Sequence, residues 1–189
     1  MQFKTDAHPS NNKSIKRQDG FTLLELMVGV AIIAVIGAIV APFMNSTKSK
    51  ATAMLSSMDS LGHGASLLNQ EGGCYPTVLR ALNTQGDASN SLCGIDMASN
   101  WRGPYARGVT FNAAGAAMLD TVATGITATL VRDTTIGVKY GIRASNVPEE
   151  ILREADSQCN KSAGSTVCTT NLGTGGAPGS ITKWFDAHS

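Results

Sequence analysis

Polar and apolar positions divide the chain into three zones. Residues 1–20 are polar, contain Pro9, Asn11 and Asn12, and show no apolar period, so nothing in them can build a core. The stretch GFTLLELMVGVAIIAVIGAIVAPFM follows from Gly20, and within it Leu26 to Met44 are nineteen residues without a charge. At helical rise that run is about 30 Å long, enough to span a bilayer. After Pro42 the pattern becomes one-sided. Ala51, Met54, Leu55, Met58, Leu61, Ala65 and Leu68 recur at steps of three and four, while Ser56, Ser57, Asp59, Ser60, His63 and Ser66 fill the other face. The spacing predicts one long helix whose second half lies on a globular body and which stops near Glu71, Gly72 and Gly73. Gly37 loosens that helix and Pro42 removes one of its backbone hydrogen bonds, which predicts a bend or soft segment between them.

Residues 74–108 read as an irregular connection, with turns at Thr84 to Asp87 and Asn90 to Gly94. Alternation then predicts strands over Gly108 to Asn112, Gly125 to Arg132 and Ile136 to Ala144, the last two joined by a turn at Asp133, Thr134 and Thr135. Asn146, Pro148 and Glu149 read as the cap and first turn of a short helix whose apolar side is Ile151, Leu152 and Ala155. Leu172 to Ser180 reads as a loop and Ile181 to Phe185 as a final strand. The fold class expected is α+β: a long N-terminal helix packed on an antiparallel sheet, with a disulfide-bonded C-terminal region.

Charge sharpens the division. The first twenty residues hold Lys4, Lys13, Lys16 and Arg17 against Asp6 and Asp19, a net of +2, so the rest is about −1 from a chain total of +1. Basic residues just before an apolar span hold that end in the cytoplasm and send the remainder outward. A body so close to neutral has no electrostatic footprint for nucleic acid, and direct sequence-specific binding is not expected.

Cys74, Cys93, Cys159 and Cys168 all follow the apolar run, and their spacings do not fit the close pairs of a zinc site. They read as disulfides formed in an oxidising compartment. Three connectivities are open. Pairing of neighbours, Cys74 with Cys93 and Cys159 with Cys168, is preferred because both loops are short and contain turn residues.

No enzyme is expected. His8, His63 and His188 sit in no metal or nucleophile spacing, and the glycines from Gly173 to Gly179 lack the Lys-Ser/Thr ending of a phosphate cradle. Glu149 and Glu150 are explained by the favourable field at a helix N-terminus. Neither a metal nor a cofactor is expected.

Glu25 is the exception in the apolar zone, because an ionised carboxylate in hydrocarbon costs roughly 2.5 kcal/mol or more when unpaired. Gly20, Phe21, Thr22, Leu23, Leu24, Glu25, Leu26, Met27 and Val28 together resemble the processing site of type IV prepilins, with pseudopilins as the nearest relatives. The close resemblance covers Lys16 to Lys50. The Trp101, Gly103, Pro104, Tyr105 element is similar to one that leads into the sheet of those proteins. The leader length and the strand, Val147-Pro148-Glu149-Glu150 helix and cysteine order resemble class b pilins, whereas a Phe start resembles class a.

The resemblance implies a cleaved leader at 1–20, a transmembrane and filament-core helix at 21–44, and an extracytoplasmic head at 45–189. A prepilin peptidase would cut after Gly20 and methylate the Phe21 amine. Glu25, Phe21, Gly37 and Pro42 would serve assembly. The product would be a structural subunit of a type IV pilus, a homo-oligomeric helical filament built by inner-membrane assembly machinery and used for adhesion, aggregation, motility or conjugative contact. The precursor would sit in the inner membrane and the filament on the cell surface. Two other functions fit the residues: a pseudopilin of type II secretion, and a membrane-tethered secreted enzyme or binding module. An ordinary signal peptide fits poorly, because Glu25 interrupts its apolar region and no clear cleavage site follows.

Overall fold

A computed structural model describes the backbone of residues 23–135, 137–161 and 167–188, and the side chains among them except those of 25, 34–45, 187 and 188. The chain divides into two units, Met1–Phe43 and Met44–Ser189. Helix α1 is Leu23–Gly72, and its helical backbone is unbroken at Gly37 and Pro42. The bend or soft segment expected between them falls on residues whose side chains lie outside those described.

In the second unit all seven apolar positions of the expected stripe, from Ala51 to Leu68, are buried, and Ser56, Asp59, Ser60 and His63 are exposed. Met54, Met58, Leu61 and Leu68 are fully covered, each contributing about 1.5–3 kcal/mol of transfer free energy. The helix ends where its glycines allow. Gly73 adopts a left-handed φ of 79° and donates its N–H to the Asn69 carbonyl at 2.7 Å. Gly62 and Gly64 are also buried on this helix, and a side chain on Gly64 would come within 2.9 Å of the Tyr105 carbonyl oxygen.

Facing the stripe is a six-stranded antiparallel sheet in the order β1-β2-β3-β4-β6-β5. Its strands are β1 Thr110–Phe111, β2 Ala117–Met118, β3 Thr127–Asp133, β4 Val138–Val147, β5 Cys168–Asn171 and β6 Gly179–His188. Ala128, Ile142, Ala144 and Ile181 from its inner face join Met54, Met58 and Leu61 in one core. The β3–β4 hairpin is the one the alternation anticipates, and its turn is closed by Asp133, which accepts the Thr135 N–H at 2.9 Å.

Several boundaries differ from the sequence reading. β2 and β5 were not expected; both are short and owe their strand geometry to their neighbours more than to alternation. The first expected strand shrinks to two residues, and β6 is longer at both ends than Ile181 to Phe185. The expected loop from Leu172 keeps a single 3-10 turn at Thr174–Gly176 before β6 begins.

Asn146 is not a helix cap. It lies in β4 with φ 61°, as the extra residue where Ser145 faces Ser180 and Val147 faces Gly179. Asn tolerates the left-handed conformation that such a bulge requires. Helix α2, Glu149–Cys159, is instead preceded by Pro148 at the cap position, with no side-chain cap bond. It buries Ile151, Leu152 and Ala155 as the pattern requires.

Candidate functional site

The residues expected to carry processing and assembly lie at the N-terminal end of the chain. Gly20 and Phe21 fall outside the described residues, as do the side chains of Glu25, Gly37 and Pro42. What the structure shows beside them is a sleeve of grease. Leu23, Leu24, Leu26, Met27, Val28, Val30, Ile32 and Ile33 are between 52% and 78% exposed. Their positions surround the helix instead of forming a stripe. A helix apolar on all sides belongs in a buried setting, in lipid or among other helices. Among the described residues no helix is long and apolar enough to cross a membrane. The apolar run continues from residue 34 into side chains outside that set.

The second unit holds the second half of α1 by several ties. Disulfides join Cys74 to Cys93 and Cys159 to Cys168, the pairing of neighbours, with Cα separations of 6.1 and 6.0 Å, ordinary for such bonds. The first anchors the connection that leaves α1, and the second ties the end of α2 to β5. On the helix, Asp59 receives Lys183 of β6 at 2.6 Å. The Thr52 hydroxyl bonds the Gln158 carboxamide of α2 at 3.0 Å.

Just past the helix, Tyr75 donates its hydroxyl to Asp186 at 2.6 Å and stacks on Tyr140, with ring centroids 4.1 Å apart. Burial, reinforced by the Asp186 carboxylate, pushes the Tyr75 phenol up to about 12. Arg80 holds Asp87 through two hydrogen bonds of 2.7 and 3.0 Å, which keep that carboxyl below the usual range.

The Trp101 to Tyr105 element fixes the connection to the body. Trp101 Nε1–H donates to the Ala81 carbonyl at 2.8 Å, the Tyr105 N–H donates to Leu82 O at 2.7 Å, and the Tyr105 hydroxyl donates to Glu71. The two rings meet edge to face at 5.8 Å, leaving no space for a side chain on Gly103.

Among the described residues no three His, Cys, Asp or Glu side chains converge as a metal site would require. His63 is exposed on the helix surface. A groove runs between Ser56, Ser57 and Ser60 of α1 and Arg107, Thr110 and Asp120 on the facing segment. It brings together hydroxyls and one charge of each sign, with no nucleophile paired to a base.

Sequence reasoning missed the long-range ties, Asp59 to Lys183 and Tyr75 to Asp186, because partners 124 and 111 residues apart leave no local pattern. It also missed the close approach of Trp184 in β6 to Gly141 of β4. The available signal was Gly141 inside a strand, which marks a close approach by something large.

Residues 15–41 match the family model described as the prokaryotic N-terminal methylation motif, a span that takes in Gly20, Phe21, Glu25 and Gly37. No curated protein and no solved structure matches the chain.

Proposed function

From this type IV prepilin-like signal motif, we propose that the chain is a prepilin: a peptidase cuts it after Gly20, and the mature subunit polymerises through α1 into an extracellular type IV pilus. The observation that carries the reading is the match over 15–41, continued by an apolar helix whose described side chains from Leu23 to Ile33 are largely exposed. Hydrolysis of the Gly20–Phe21 peptide bond frees the Phe21 amine, which is then methylated. Gly20 lets an extended backbone enter a tight site without a side chain in the way.

Before assembly, lipid covers the residues from Leu23 onward. In the filament, neighbouring copies of the same helix cover them again. Glu25 then faces a Phe21 amine, of a neighbour or of its own chain, and the pair neutralises two charges that low-dielectric surroundings penalise singly. The carboxylate thereby selects the axial register of one subunit on the next. The head, closed by two disulfides and by ties from α1 to β6, forms the outer part of the filament.

The test is Glu25→Ala in a cell with the whole assembly apparatus. The variant is expected to insert and to lose its leader, yet to yield few filaments. A normal filament yield would remove Glu25 from the mechanism.

A further inference from the structure

The face of the sheet turned away from α1 carries a feature that the proposed function does not draw on. On β6, Trp184 stands opposite Gly141 of β4. A side chain on Gly141 would come within 2.8 Å of Trp184 Cε3, so the indole's benzene edge lies low over that glycine. Its other edge reaches the opposite way, where Nε1–H donates to Thr169 Oγ1 of β5 at 2.9 Å. The ring is thus laid across three strands with its one polar atom already satisfied. What half-buried Trp184 has left to offer is the outer π-face, negative at its centre and suited to the weakly positive C–H edges of a flat apolar partner.

The next row along the same face is Thr129, Arg143, Thr182 and Thr169, aligned across β3, β4, β6 and β5. Arg143 is exposed, and its Nε–H donates to Thr182 Oγ1 at 3.2 Å. No carboxylate pairs with it among the described residues. Diagonal neighbours on a sheet are roughly 7–8 Å apart, within reach of an aromatic and a long side chain acting together. A guanidinium with free N–H groups is the side chain best shaped to take a carboxylate in two parallel bonds.

We infer that this face is a docking platform for an acidic saccharide, a hexuronate stacked on Trp184 with its carboxylate on Arg143 and its hydroxyls toward exposed Thr129 and Thr169. The alternative anionic partner, single-stranded nucleic acid, also stacks on aromatics but needs a basic track along its backbone. Here Lys139 faces Asp133 in the register, and the chain's net charge is only +1. The platform belongs to the head's sheet alone and does not depend on the N-terminal segment.

The test is calorimetric titration of the full-length chain in detergent with a tetramer of galacturonic acid, the neutral tetramer of galactose, and an oligothymidylate of matched charge. The acidic tetramer is expected to bind at least tenfold more tightly than the neutral one. Arg143→Gln, an exposed change that leaves the core intact, is expected to abolish that preference. Trp184→Ala, which removes the stacking surface from the outer face of β6, is expected to weaken both sugars together. Absence of binding by the acidic tetramer, unchanged preference in Arg143→Gln, or equal binding of the oligothymidylate would each overturn the inference.

Discussion

Asn160 uses both ends of its carboxamide on the backbone of Cys168: Oδ1 accepts the Cys168 N–H at 3.1 Å, and Nδ2 donates to the Cys168 carbonyl at 3.1 Å. β5 is the last strand of the sheet, and alternation of the ladder turns these two groups away from β6. The side chain therefore stands in for one residue of a missing neighbouring strand, next to the disulfide that joins Cys159 to Cys168. Such cover also blunts an edge that could otherwise template unwanted pairing.

Asn160→Ala leaves both Cys168 groups without that partner. The cost of unsatisfied, largely buried backbone groups is about 1–3 kcal/mol. Urea unfolding with the disulfides intact is expected to show a loss of that size, and Asn160→Asp, which keeps the acceptor and discards the donor, is expected to recover little of it.

Tyr75 supplies a pH dependence. Its phenol is raised from 10.0 to about 12 by burial and by Asp186, so the folded chain keeps a proton that the unfolded chain releases near pH 10. The stabilisation is complete below pH 10 and is lost as pH rises toward 12. Urea midpoints measured from pH 8 to pH 11.5 are expected to fall above pH 10. In Tyr75→Phe, less stable at neutral pH for want of the Asp186 bond, that alkaline decline is expected to be shallower.

Gly64 is a packing requirement on α1. A Cβ there would sit 2.9 Å from the Tyr105 carbonyl oxygen, and backbone does not move aside as a flexible side chain can. Gly64→Ala is expected to cost about 1–3 kcal/mol despite alanine's better helix propensity. Gly86→Ala, where nothing lies within 4 Å, is expected to stay within about 0.5 kcal/mol in the same assay.

The stripe from Ala51 to Leu68 was legible because helical period is a local property, and each position needs only its own apolar side chain. Neighbour pairing of the cysteines was favoured for the same reason, since each bond spans a short loop. Asn146 misled because Asn followed by Pro and Glu has the form of a helix start, whereas pairing of β4 with β6 demanded a bulge at that residue. β5 was invisible because Thr169, Thr170 and Asn171 have no apolar alternation of their own. The groups expected to process and assemble the chain rest on the motif at 15–41 and not on the architecture of the second unit.

The two disulfides differ in loop length, with sequence separations of 19 and 9. Loop-closure entropy makes the longer one worth about 0.6 kcal/mol more within a typical 2–4 kcal/mol per bridge. Replacing Cys74 and Cys93 together by Ser is expected to lower the thermal midpoint further than replacing Cys159 and Cys168.

The central claim is that the chain is matured at Gly20–Phe21 and then polymerises. Intact-mass spectrometry of native protein sheared from the cell surface tests it most directly. The account expects a single species that begins at N-methylated Phe21 and carries both disulfides. A species that still begins at Met1, or a Phe21 species found only as envelope monomers in cells with working assembly machinery, would contradict it.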